Sequence, residues 1–208
     1  MSEYSLTIQN NSEVDNRTFA VFAKITLDTP TTSFDLAWLT QTINTGNFYT
    51  FDWDIKWGLV WSAAGVKEGY RWSAGNAPLP ADPSQSAKCA AIFSHDKDFK
   101  LAYSERKPDY EHLFITDDGS VPPPSMLPSS VGVTLNGDPT CAMDAGPNLS
   151  QTFTLHPTYY LQAGTFKKGQ MVDGASVTDF TELKFSGGNR ALTATLDKYN
   201  IWTVVPTA

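Results

Sequence analysis

The 208-residue chain carries 15 Lys and Arg against 22 Asp and Glu, for a formal charge of −7, and it is 41% hydrophobic, 12% aromatic and only 18% charged. Phosphate binding rests on clustered Lys and Arg, and here no basic run exceeds a pair such as Lys167-Lys168, which argues against nucleic acid and anionic membrane surfaces as partners. The apolar and aromatic content argues against a disordered chain, and this length buries a sizeable core without help from a metal or disulfide.

The chain opens without a basic region followed by an apolar run, and no segment approaches the ~18 apolar residues of a membrane span. The expectation is a cytoplasmic protein, or one exported without a leader, with no membrane span. Ser5 to Asn10 reads as a strand ended by the turn-prone Asn10-Asn11-Ser12. Thr18 to Leu27 is a second strand, with Phe19, Val21, Ala23 and Ile25 on one face, broken by Asp28-Thr29-Pro30-Thr31. Ser33 to Thr42 places Leu36, Ala37, Leu39 and Thr40 at helical spacing behind a Ser suited to N-capping, so a short helix is expected there.

Within Phe48 to Ser62, the stretch from Phe51 to Trp61 alternates without a break. Phe51, Trp53, Ile55, Trp57, Leu59 and Trp61 share one face, while Asp52, Asp54 and Lys56 lie on the other. This reads as one long strand with a bend or bulge at Gly58. Three tryptophans on one face make a patch larger than a monomer leaves in water, so a second layer must cover it. Gly65 to Asn76 suggests a hairpin with Tyr70 and Trp72 in its second arm. The proline-rich stretch 76–86 reads as a loop, and Cys89–Ser94 with Phe99–Tyr103 as a hairpin. Leu113–Ile115 is a short strand, and Val121 to Ser130 a stiff connector.

The order then recurs. Thr50–Leu59 lies on Thr152–Leu161 without a gap, Phe19–Phe22 on Val131–Thr134, and Lys67-Glu68-Gly69 on Lys167-Lys168-Gly169. Leu183–Ser186 parallels Ala91–Ser94, Leu192–Leu196 loosely matches Leu101–Tyr103, and Ile201–Val205 closes the chain. The expected fold is all-β: a two-sheet antiparallel β-sandwich, pseudo-symmetric from an internal duplication, with at most one or two short helices. It forms a single domain, 1–208, with pseudo-repeats of about 4–108 and 110–206.

Signals for chemistry are sparse. The only cysteines, Cys89 and Cys141, read as buried thiols, with a bridge between the halves as the alternative. There is no Gly-x-Ser-x-Gly elbow, Gly-rich phosphate loop, His-Glu-x-x-His or calcium loop, so no metal or cofactor is expected. Ser94-His95-Asp96-Lys97-Asp98 puts an imidazole near two carboxylates but reads first as a solvated turn. His156 shares a strand face with Thr154, Thr158, Tyr160 and Gln162, a surface that could hold a sugar by hydroxyl bonding and ring stacking. The ordinary outer face of a sandwich explains the same residues.

Several stretches carry a family resemblance: YSLTIQNNS (4–12), FAVFAK (19–24), LAWLTQ (36–41), TFDWDIKWGLVWSAAG (50–65), SSVGVTLNG (129–137), GPNLSQTFTLHPTYYLQAGTFKKGQMVD (146–173) and LTATLDKYNIWTV (192–204). From about residue 4 to 204 the chain resembles the RhiA family of rhizosphere-expressed bacterial proteins. The resemblance implies one soluble β domain and a link to cell-density-controlled expression and host or rhizosphere interaction. It carries no catalytic residues.

The reading that follows is a non-catalytic binding protein acting between microbe and host or between microbes, with a glycan or small molecule as ligand. Its candidate contacts are Tyr70, Trp72, His156, Thr158 and Tyr160. The alternatives are an enzyme with a pocket between the halves, using His95, Asp96 or His156, and a self-assembling or stored protein that forms homo-oligomers through sheet edges.

Overall fold

The computed structural model describes residues 4–27, 33–177 and 179–207. In chain order the elements are β1 (Tyr4–Asn10), β2 (Arg17–Leu27), β3 (Ser33–Leu36), β4 (Leu39–Ile43), β5 (Phe48–Trp53), β6 (Trp57–Ser62), β7 (Leu79–Ala81), β8 (Ala90–His95) and β9 (Phe99–Ser104). There follow β10 (His112–Asp117), β11 (Ser130–Leu135), β12 (Asp138–Asp144), β13 (Ser150–Gly164), β14 (Met171–Asp173), the one-turn α1 (Gly174–Val177), β15 (Thr181–Leu183), β16 (Ala191–Leu196) and β17 (Trp202–Pro206). The chain is nearly all β. The expected break at Asp28-Thr29-Pro30-Thr31 lies outside the described residues.

The strands form three sheets where two were expected. The first runs β17-β16-β1-β5, the second β4-β2-β13-β10-β8-β9 with β15 also on β13, and the third β14-β3-β12-β11-β6-β7. Pairing is mainly antiparallel, but β1 runs parallel to β16 and β8 parallel to β10. One apolar interior serves all three sheets. Leu6, Phe51 and Leu192 from the first meet Val21, Phe153 and Leu113 from the second and Leu59, Val133 and Cys141 from the third. The Trp-rich face looks inward as expected: Trp53 is 1% and Trp57 9% exposed.

The expected single strand over 48–62 is instead two, in different sheets. Between them Lys56 N–H donates to the Asp54 carbonyl at 3.1 Å and the Lys56 ammonium pairs with the Asp54 carboxylate at 2.8 Å. The chain steps from the first sheet to the third while its apolar side stays on the common interior, so the alternation survives the break. The step falls at 54–56 rather than at Gly58. Gly58 lies inside β6, where a Cβ would stand 2.5 Å from Thr134 Oγ1 on the facing strand, so the missing side chain permits close approach.

The expected helix over Ser33–Thr42 is β3 and β4 joined by Ala37-Trp38. Here three successive buried side chains enter three apolar clusters. Leu36 packs with Val60, Trp72 and Met171, Ala37 with Phe22 and Val177, and Trp38 enters the main interior. A chain that turns between sheets buries consecutive residues and so imitates helical spacing. The region expected to be a hairpin, Gly65–Asn76, is a loop whose strand-like pairing is an isolated bridge, Arg71 to Gln170, rather than two arms on each other. The hairpin 90–104 forms as expected (β8 and β9), while the loop 76–86 contains the short β7.

β2 is buried on both faces, as its run of Phe19 to Ala23 suits a central strand. Its second face is covered by Phe166, Val177 and Phe180. β11 and β12 are joined by Asn136 (φ 53°) and Gly137 (φ 87°), the two left-handed residues that a tight hairpin turn requires.

Two antiparallel pairs share a register. In β6–β11, Leu59 faces Val133 and Trp61 faces Val131. In β13–β2, Leu161 faces Val21 and Ala163 faces Phe19. These are the same positions that the sequence superposes, since Leu59 lies on Leu161 and Val133 on Val21.

Candidate functional site

The matching turns Lys67–Tyr70 and Lys167–Gln170 meet in space. Each is closed by its own bond, Tyr70 N–H to Lys67 O at 3.2 Å and Gln170 N–H to Lys167 O at 2.9 Å. Gly69 and Gly169 supply the left-handed residue, each at φ 78°. The turns are then zipped together: Gly69 N–H donates to Met171 O at 2.9 Å, Met171 N–H to Tyr70 O at 2.8 Å, and Trp72 N–H to Gly169 O at 2.8 Å. The β3–β4 junction is held to the same place, with Ala37 N–H on Gln170 O at 2.9 Å and Gly169 N–H on Ala37 O at 2.8 Å.

Beside this junction lies a cleft of about 270 Å³ lined by Trp38, Arg71, Trp72, Ser73, Asp138 and Lys168 among others. Lys168 and Asp138 form an ion pair at 2.8 Å across its rim. Trp38 and Trp72 form the inner wall. The Trp38 indole N–H donates to Leu135 O at 3.0 Å and that of Trp72 to Ser130 Oγ at 2.8 Å. Trp72 is only 4% exposed, so it shapes the wall with an edge and offers no open stacking face. Tyr70, the residue before Arg71, does not line the cleft; its ring is 59% exposed, with the Lys67 ammonium 4.4 Å from its centroid.

His156, Thr158 and Tyr160 lie elsewhere, on β13. The β13–β2 register jumps between Thr154 and Thr158, and Leu155 N–H turns to Glu111 O at 2.8 Å. His156 and Thr158 are exposed. Tyr160 packs on the Phe22, Phe166 and Phe180 cluster, and its burial pushes the phenol up. Thr158 lines a separate cavity of about 360 Å³ with Tyr4, Glu182, Lys184 and Phe185. The five candidates thus divide between two places.

His95 and Asp96 sit at the β8–β9 turn, where the His95 ring packs on Phe99 at 4.6 Å and its backbone N–H donates to Ser120 Oγ at 2.9 Å. Neither lines the cleft or the Thr158 cavity, and neither does His156. Cys89 and Cys141 are free, buried thiols, pushed up by burial. No group of three His, Cys, Asp or Glu among the described residues could hold a metal ion. No helix among them is long and apolar enough to cross a membrane.

Among the described residues two buried carboxyl groups are raised, both outside the cleft, while Asp82 and Asp109 are lowered by hydrogen bonds from Ser84 and His112. Asp35, 4% exposed, is pushed up to about 7, mainly by burial, with Asp173 adding to the rise and Lys24 opposing it. Asp117 is pushed up to about 6 by burial, although Gly146 N–H at 3.0 Å and Gln151 Nε2 at 2.8 Å both donate to it. Sequence reasoning passed over Arg71, Asp138 and Lys168 as a group. The one available signal was the repeated Lys-x-Gly turn.

Fold and cleft together define an all-β protein whose loops, rather than its sheet faces, build this recess. The chain belongs to the RhiA family: the family model matches residues 1–207. It is 30% identical over 209 residues to Protein RhiA of Rhizobium leguminosarum bv. viciae, covering 99% of this chain and 87% of that protein. No solved structure matches.

Proposed function

We propose that the protein is a non-catalytic binding protein of microbe–host or microbe–microbe interaction and that it recognises a glycan at the cleft beside the two joined turns. The observation that carries this is the recess itself. Segments from both halves build it, backbone bonds hold it rigid, and the exposed Tyr70 immediately precedes the lining residue Arg71 in the chain. A preformed site loses little ordering entropy on binding, and a tyrosine offers both a stacking face and a hydroxyl for a sugar. The relationship to Protein RhiA supports the interaction role. The shared register of the two strand pairs supports descent of a single domain, 1–208, from a duplicated unit, with the cleft where the copies touch.

A glycan array followed by titration tests the reading. Tyr70→Ala weakens binding by about tenfold, and Ala74→Trp, which places an indole at the exposed mouth of the recess, abolishes it. Binding untouched by both variants, or absent for every glycan, refutes the site.

One observation favours a second reading, self-association. β5 and β17 are the edges of the first sheet, and Phe48, Ile201 and Val205 on or beside them are exposed. Light scattering across a hundredfold range of concentration shows growth in mass if this holds, and a constant monomer mass if it does not.

A further inference from the structure

The two turns gather charge against the sign of the whole chain. Lys67, Arg71, Lys167 and Lys168 stand on them, all exposed, against Glu68 and Asp138: four basic residues to two acidic, on a chain of net −7. Of the four, Lys168 is neutralised by Asp138. Among the described residues, no carboxylate stands within ion-pair distance of Lys67, Arg71 or Lys167. The Lys67 ammonium rests on Tyr70, 3.4 Å from its hydroxyl. Arg71 lies directly across the backbone bridge from Gln170 and lines the cleft. No sequence run discloses this patch, because half of it comes from each of two turns about a hundred residues apart.

Building on the glycan reading, we infer that the ligand is an acidic saccharide whose ring carboxylate is held by Arg71, with Lys67 and Lys167 meeting further carboxylates along the same chain. With Lys168 paired to Asp138, Lys67, Arg71 and Lys167 against Glu68 leave an excess of two positive charges on a rigid bonded platform, a positive field on an otherwise acidic protein. A guanidinium suits a planar carboxylate through paired N–H donors, and such charge-assisted bonds are stronger than neutral ones. The recess lies at the small end of ligand sites, so it takes one ring-sized group while the rest of the chain lies over the turns. The Asp138 carboxylate at the cleft is paired with Lys168 at 2.8 Å, which offsets its repulsion of an anionic ligand.

The test is titration calorimetry on the full chain with an oligouronate of about six residues, its carboxyl-reduced neutral counterpart, and inorganic polyphosphate of matched charge. The oligouronate binds. Its affinity falls about tenfold with Arg71→Ala and severalfold with Lys167→Ala, and it weakens as salt is raised, whereas Arg71→Lys retains part of it. All these side chains are exposed, and an unchanged urea midpoint for each variant establishes that the fold is kept. Equal binding of the neutral counterpart, blocked by Ala74→Trp but indifferent to Arg71→Ala, overturns the acidic class and leaves the cleft as a glycan site. Equal binding of polyphosphate overturns it too, as undiscriminating attraction of anions. Failure of all three probes to bind overturns it outright, while an array hit that Tyr70→Ala weakens preserves the broader reading.

Discussion

Replacing Asp35 by Asn separates a buried charge from the rest of the fold. Asp35 is 4% exposed and faces Lys24 on β2 and Asp173 on β14, and its carboxyl is raised from 3.8 to about 7, mainly by burial. In the folded chain it therefore stays protonated through a range in which the unfolded chain has already released the proton. Stability from this group is fully present below about 3.8, is lost as pH climbs to about 7, and is level above that. The rise from 3.8 to about 7 corresponds to about 4 kcal/mol as an order of magnitude. Asparagine resembles the neutral acid in shape and can keep the bond from the Ile25 amide. Urea unfolding followed by tryptophan fluorescence reads the difference. At pH 4 the variant and wild type have similar midpoints. At pH 8 the variant unfolds roughly 2 M later, taking about 2 kcal/mol per molar for a chain of this class. Asp117 titrates in both proteins and cancels in the comparison. A variant that is equally destabilised at both pH values, or a wild type that gains on the variant as pH rises, refutes the reasoning.

Two further outcomes follow from the interior. Trp53→Ala removes a ring that packs on Tyr4, Trp38, Tyr159 and Phe185, and should cost about 3–5 kcal/mol in the same urea assay; a loss below about 1 kcal/mol would place that ring outside the core. Cys89 and Cys141, free and buried, should ignore an aromatic disulfide reagent in the native protein and both react in denaturant, with no effect of reductant on stability; rapid native labelling of either would contradict the burial.

The sequence disclosed strand periodicity well and chain turns poorly. The alternation of Phe51, Trp53, Trp57, Leu59 and Trp61 identified the inward face, yet it could not distinguish one strand from two that enter different sheets over a common interior. Leu36, Ala37 and Trp38 fill three separate clusters, and their contiguous burial looked like a helix. Asn136-Gly137 marked a hairpin turn that was there to be read. Among the candidate site residues Trp72 lines the cleft and Tyr70 does not, and an aromatic residue in a loop reads alike in sequence whether its ring faces water, as Tyr70 does, or has its indole N–H bound to Ser130, as Trp72 does.

Alternating side chains, turn residues and low charge are local properties, so the sequence by itself determined that the chain is β and which sides of its strands are apolar. The division into three sheets, the pairing of β1 with β16 across nearly the whole chain, and the meeting of two Lys-x-Gly turns depend on contacts between residues far apart. Those were decided by tertiary structure, because closing such long loops is repaid only when many apolar faces are buried at once.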